Sequence, residues 1–558
     1  MTSVSSTSTE SLAEAINDPA PSGWKSWLGR AYRGLEMLAD RANPILVKET
    51  RQALKSRQFV ITFLVVLIAC WIASFAVVAI VGPDVYFVAA GAQMLLVYAV
   101  ILAFPLMLIV PYSAFRSLAS EQEDNTYDLL SITTLSTSQI VTGKLASAVV
   151  QMLVFLSAVS PCIAFTFLLR GVDALTVAVL MGYLVLASLG LSILALLAGT
   201  LAKVRYSQVL VSVLLVLMLA GCFFSSIAMI AGFISESYSF LRDVWFWVGN
   251  LAFLTLYLTT FALLHAAASA QIAFNSENRS TPLRRIMLVQ QACFLGWMTV
   301  PAIDQGWEII NMMLFVSAIF SGIYWYAMGT LLTSEWPHLS RRVQRSLPQS
   351  QLGRTFFTWL NPGPGTGYMF CVANLTMLMI AGLLALSFAP TTVRGGPNNE
   401  QIFFFYTLGW GYIVLYLGLG KLLISFARRF IFVSLTAGFL LHVILLLIGC
   451  GGPQILSYAS SSLQFGREYS LLHITNPIWT LIELLENGAA SIEAWTVLLV
   501  IGPAAAIVLL LNMRAVAVEI QYHRSSLPTR VAEDEAQLHP EPEAGPSNPW
   551  EAEAENDE

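Results

Sequence analysis

"FVITFLVVLIACWIASFAVVAIVG", residues 59–82, runs for two dozen positions without a charge. A helix needs about 20 mostly apolar residues to cross the hydrocarbon of a bilayer, and no soluble helix of ordinary size needs so many. Eleven further runs of this kind follow, at 86–112, 141–169, 174–201, 208–234, 245–272, 286–303, 309–333, 367–389, 402–424, 430–450 and 494–513. The seventh, 286–303, is the weakest, being short and carrying Gln290 and Gln291. Of 558 residues 56% are hydrophobic and only 11% charged, against about 25% charged in an average soluble domain. The expected fold is an all-α polytopic membrane protein of about twelve transmembrane helices.

Basic residues orient the spans, because short cytoplasmic loops retain Lys and Arg. With both termini inside, 25 of the 29 basic residues fall on the cytoplasmic side, and only Arg170, Arg242, Arg394 and Arg467 fall outside. Dropping the seventh span would send the basic run "SRRVQRSLPQSQLGR" (340–354) outside and weaken that bias. The count therefore supports keeping the span.

The ends read differently. Residues 1–21 have no apolar core before Trp24, unlike a cleavable signal peptide, and are expected to be disordered. Across 22–57, Trp24, Trp27, Leu28, Ala31, Leu35 and Leu38 recur at helical spacing, with Lys25, Arg30 and Arg33 mostly off that stripe. This pattern suits an amphipathic helix on the cytoplasmic membrane surface. Asn43 and Pro44 then offer an N-cap and first helical position for a second helix leading into the first span. Beyond the last span, 514–558 reads as an acidic, disordered cytoplasmic tail, with ten acidic and no basic residues after Val531.

Chemistry-bearing motifs are sparse. Gly143-Lys144 and Gly420-Lys421 are each followed by Leu and lack the upstream glycine of a phosphate-binding loop. The six cysteines all lie within apolar runs, and the six histidines show no ligand spacing. No metal or hydrolase constellation stands out. No Asp, Glu or Arg lies well inside a span, while Lys144 and Lys421 lie near cytoplasmic ends, where lysines snorkel. Ion-coupled carriers usually keep intramembrane charges. A transporter built from this chain would therefore draw its energy from elsewhere.

The exception to the apolar rule is "SEQEDNTYDLLSITTLSTSQIVTGK", Ser120–Lys144, a polar insert between the second and third spans. Glu121 and Glu123 suit a helix terminus. Leu129, Leu130 and Ile132 give a short apolar contact, and Ser136 or Ser138 can cap the helix entering the third span. Such an insert could receive force from a cytoplasmic motor.

At these residues the chain resembles the type-2 ABC exporter permeases, whose second and third spans are typically joined by a run like E-R-E-x-G-T-L-E-L-L-L-x-T-P-L-S followed by a G-K pair. Glu121, Glu123, Thr126, Asp128, Leu129, Leu130, Thr133, Leu135, Ser136, Gly143 and Lys144 fall on matching positions. Gln122, Asn125 and Thr134 depart from it, replacing Arg, Gly and Pro. "NPILVKETRQALKSR" (43–57) also resembles the stretch preceding the first span in that family. The resemblance covers about 43–272, a six-span unit with its coupling segment at 116–144. "LLHITNPIWTLIELLENG" (471–488) resembles the Asn-Pro-containing external segment before the final span. A second membrane region, 273–513, is then either six appended helices or part of one rearranged permease.

The resemblance implies a membrane-spanning permease subunit of an exporter in a bacterial inner membrane. It would have no nucleotide site or cofactor of its own, ATP and Mg being bound by a separate cytoplasmic ATPase subunit. A homodimer or second permease would complete the pump, with the lipid bilayer around it and no nucleic acid involved. A non-transporting scaffold, assembling with an ATPase to mature an extracytoplasmic enzyme, is the alternative, and an ion-coupled secondary carrier ranks behind both. The substrate is not written in the sequence.

Overall fold

The computed structural model describes residues 43–81, 91–123, 135–168, 171–201, 205–274, 277–305, 309–336, 340, 343, 359–389, 397–460, 469–522 and 529–538. The expected surface helix around Trp24 lies outside them. The described residues are mostly helical, with no strand among them, and include twelve helices long and apolar enough to cross a membrane. The chain is an all-α, multi-pass membrane protein. It divides into two compact units, Met1–Ile272 and Ala273–Glu558.

In the first unit a short helix, α1 (Pro44–Lys55), precedes the first span, α2 (Arg57–Val81). The second span is composite. α3 (Gly91–Phe104) passes through a π-helical turn at Pro105–Ile109 into α4 (Val110–Glu123). Proline has no N–H to give the ladder, and a membrane helix must satisfy the displaced carbonyls internally. Within this turn the Leu106 carbonyl accepts from Ser188 of a neighbouring span at 2.6 Å. The unit continues with α5 (Thr137–Leu168), α6 (Ala174–Leu201), α7 (Arg205–Phe240) and α8 (Val244–Ile272).

This composite span is the axis of the unit, 61% buried along its most apolar window, whereas the others are at most 33% buried. Its outer half packs Met94, Tyr98 and Leu102 against Phe155 and Val159 of α5 and Val66 and Cys70 of α2. Its inner half lies along α6, where Ser188, Ser192 and Ala195 are fully buried. Small side chains let helix backbones approach closely where lipid supplies no hydrophobic drive.

The second unit contains α9 (Thr281–Gln305), α10 (Ile310–Thr333), α11 (Pro364–Ser387), α12 (Asn399–Ala427), α13 (Leu435–Ser460) and α15 (Ala494–Tyr522) as spans, with α14 (Pro477–Asn487) between the last two. The weak seventh span is a full helix, α9. Its two glutamines face α10: Gln290 accepts from the Tyr324 hydroxyl at 3.0 Å, and Gln291 from the Trp325 indole N–H at 2.9 Å.

Here the axis is α12, again 61% buried. Gly418 lets α15 lie directly on it, since a Cβ at that position would stand 2.3 Å from Val508 Cγ1. The segment leading into α14 is re-entrant. Tyr412 donates to the Ile474 carbonyl at 2.7 Å and Tyr416 to Thr475 at 2.5 Å, while Asn476 donates to Cys450 at 3.0 Å. Tyr412 lies thirteen residues into α12, about 20 Å along its axis. Leu471–Thr475 is a 3-10 turn, and the carbonyls at its end are tolerated at such depth only when protein groups satisfy them, as these tyrosines do. Asn476 caps α14 through the Trp479 N–H at 3.0 Å.

The acidic tail is not irregular throughout. α15 runs to Tyr522, past the expected limit at 513, and "TRVAEDEAQL" forms a further helix, α16 (Thr529–Leu538). Its Ala, Glu, Gln and Leu are strong helix formers, so local propensity makes a helix where net charge alone suggests none.

Candidate functional site

Three helices of the first unit meet where the polar insert leaves and rejoins the bundle: α1, the end of α4 and the start of α5. α1 begins as its sequence suggests, with Asn43 Oδ1 accepting from the Ile45 N–H at 3.0 Å and Pro44 at the first helical position. Ile45 and Glu49, four apart and so on one face, are the buried residues of this helix. α5 is capped by Ser136: the Gln139 N–H donates to Ser136 Oγ at 3.3 Å, and the Ser136 N–H donates to Gln139 Oε1 at 2.9 Å. The Asn43 amide reaches the Gln139 carbonyl at 2.5 Å, fastening α1 to the first turn of α5.

The Gly143-Lys144 pair has a physical reason at this junction. A Cβ on residue 143 would lie 2.9 Å from both Asn43 Nδ2 and Ile45 Cβ, so glycine sets how closely α1 approaches α5. That closeness brings Lys144 to two carboxylates on different helices. Its Nζ lies 2.9 Å from Glu49 Oε1 and 3.0 Å from Glu121 Oε2, and donates to the Ser117 carbonyl at 3.0 Å. Lys48 Nζ approaches the other oxygen of Glu121 at 3.2 Å. The Lys144 side chain is 1% exposed, those of Glu49 and Glu121 9% and 8%, and that of Lys48 55%. Two cations and two anions balance. A buried charge held this way is tolerated, but removing one partner leaves the other uncompensated.

Lys144 therefore does not snorkel. α5 starts at Thr137, earlier than the expected 141, which sets Lys144 two turns inside the helix and turns it into the bundle. Of the residues singled out in the insert, the structure joins Glu121 and Lys144 directly and places Ser136 as the cap. Glu123 ends α4. Thr126, Asp128, Leu129, Leu130 and Thr133 lie outside the described residues. Sequence reasoning missed Glu49, although a signal existed: it is the only acid between Asp40 and Asp84, inside a basic run.

The second unit has its own buried cation, which the sequence reading counts only among loop charges. Arg284, in the first turn of α9, is fully buried. It pairs with Glu335, just past α10, at 2.9 Å, and donates to the carbonyls of Trp359 (2.7 Å) and Gly363 (3.3 Å) and to Thr366 Oγ1 (3.2 Å). Glu335 also accepts from the Gly363 N–H at 3.0 Å and from Ser280 Oγ at 2.7 Å. Lys421, also expected to snorkel, is 2% exposed, with its Nζ 5.8 Å from the centre of the Tyr368 ring. Among the described residues no group of three or more His, Cys, Asp or Glu is placed to hold a metal ion.

No protein-family model, curated protein or solved structure matches this chain.

Proposed function

We propose that this chain is the membrane-spanning permease subunit of an ATP-binding-cassette exporter in a bacterial inner membrane, with 116–144 as the segment that seats on a separate cytoplasmic ATPase. The observation that carries the reading is the three-helix junction at Lys144. A segment that receives force from a motor must be tied at its base to the spans it moves. Here the helices on both sides of the insert, and the helix preceding the first span, are joined through one buried ammonium. The likeness of the insert to the coupling segment of type-2 exporters supplies the partner: a cytoplasmic ATPase that binds ATP and Mg, acting on a homodimer or a pair of permeases. In this reading the chain does no chemistry itself.

The test is a double substitution, Leu129→Asp with Leu130→Asp. Truncating an interface anchor commonly costs about 2 kcal/mol or more, and a carboxylate in a desolvated contact costs further. The variant is expected to insert at normal levels, to lose copurification with the ATPase and to lose export together. Full ATPase association by the variant would show that the insert is only a solvated loop.

A further inference from the structure

The second unit encloses a cavity of about 630 Å³ between α10, α11, α12, α13 and the re-entrant α14. Ligand sites are typically concave, mostly apolar, about 300–1,000 Å³ in volume, and carry a few placed polar groups. Three features of this one define what it takes. Its wall is aliphatic and aromatic, with Phe405, Trp410 and Tyr412 among its lining residues, and none of the described residues that line it is charged. Any net charge on an occupant would be left unpaired there. Second, the lining residues Ile323, Ile478 and Ile482 are exposed, 48% or more, so the cavity opens sideways along an apolar edge of the kind that faces lipid. Third, Ser321 lines the cavity at 5% exposure, and its buried hydroxyl has no hydrogen-bond partner among the described residues. Its neighbour one turn away, Ser317, is by contrast engaged, donating to the Leu314 carbonyl at 2.8 Å and lying 2.9 Å from the Tyr406 hydroxyl. The other described polar side chains lining the cavity, the tyrosines and Trp410 included, are hydrogen-bonded, and a buried polar group left without a partner among them marks where one from outside belongs.

We infer that this cavity binds an uncharged single-chain amphiphile, its alkyl chain along the aromatic wall and one oxygen of its small uncharged head on Ser321. The volume suits one chain with a small polar end, not a double-chained phospholipid with a charged head. The inference concerns binding in the second unit alone and stands apart from the ATPase assignment in the first, so either can fail without the other.

The experiment uses the full chain reconstituted in phosphatidylcholine vesicles and a diazirine-bearing monoacylglycerol as photoprobe. Labelling should map to α10, α12 and α14, saturate, and be displaced by unlabelled monooleoylglycerol. Gly409 lines the cavity, and a Cβ there meets nothing within 4 Å. Gly409→Phe should therefore fill the space without displacing backbone and cut saturable labelling more than tenfold. Ser321→Ala, which only removes the hydroxyl, should weaken half-saturation about fivefold, the worth of one hydrogen bond. Should Gly409→Phe elute as an aggregate, the serine variant carries the test. Labelling that does not saturate, or that is unchanged in the variants, would overturn the inference. So would equal displacement by a soluble short-chain phosphatidylcholine, which would mean that the cavity holds ordinary bilayer lipid.

Discussion

Each unit anchors one end with a buried cation facing a carboxylate at the end of its second span, Glu121 in the first and Glu335 in the second, yet the two anchors are built differently. Arg284 spreads its planar fork over one carboxylate, one hydroxyl and two backbone carbonyls, all belonging to the chain that links α10 to α11 or to its edges. Lys144 is a point charge shared by carboxylates on two other helices, with a single carbonyl as its backbone contact. Arginine suits a rigid, directional brace, whereas an ammonium accepts several geometries. In the second unit Arg284 thus holds the described backbone at Trp359 and Gly363, just ahead of α11. In the first unit Lys144 instead ties α1, α4 and α5 together through their side chains and the Ser117 carbonyl.

That contrast can be broken, and the largest effect is expected at the brace. Arg284→Ala should destabilise the protein by at least about 4 kcal/mol, because it strands Glu335 and unpairs backbone carbonyls. Arg284→Lys should recover little, since lysine cannot fork; thermal unfolding of the purified chain measures both. A fully stable lysine variant would make the two anchors equivalent and dissolve the distinction.

Lys144→Met should cost about 3 kcal/mol by leaving Glu49 and Glu121 facing each other. Adding Glu49→Leu and Glu121→Gln should restore most of that stability, since a buried ion cluster replaced by well-packed neutral groups is often neutral. The restored variant sharpens the comparison. Recovered stability with the proposed ATPase association still absent would separate the proposed coupling role of the junction from its role in folding.

Gly143→Ala should cost about 1–3 kcal/mol by pushing α1 away from α5, read in the same unfolding assay. The smallest effect belongs to Lys48→Ala. Its ammonium is more than half exposed, so the loss should stay under about 1 kcal/mol and shrink further at high salt.

Much of this architecture was legible in advance. The twelve runs that decide the fold stand out because the bilayer imposes a fixed length and an apolar composition on each. The cap at Asn43 and Pro44 and the cap at Ser136 were readable because their partners lie within three residues in the chain. What escaped were pairings across the chain: Glu49 with Lys144, Arg284 with Glu335, and the glutamines of α9 with Tyr324 and Trp325. Each is one polar residue in an apolar or basic context, and only the packing decides whether it snorkels to water or turns inward. The snorkelling expected of Lys144 and Lys421 failed for that reason, because helix ends shifted by a few residues change which way a lysine can reach. The orphaned Ser321 was equally invisible, since a serine in a span ordinarily bonds its own backbone.

The π-helical turn at Pro105–Ile109 has a consequence for phase. Such a turn accommodates one more residue than the α-helix it interrupts, and each residue of an α-helix advances the side-chain direction by about 100°. Everything from Val110 onward is therefore rotated by roughly that angle relative to an unbroken helix begun at Gly91. Tyr98 and Leu102 pack among residues of α2 and α5, Glu121 meets Lys144 of α5 further along, and the turn sets the phase between them. Without the extra residue, the face that carries Glu121 to Lys144 would swing more than a quarter-turn away. The chain would keep its twelve spans and lose its junction.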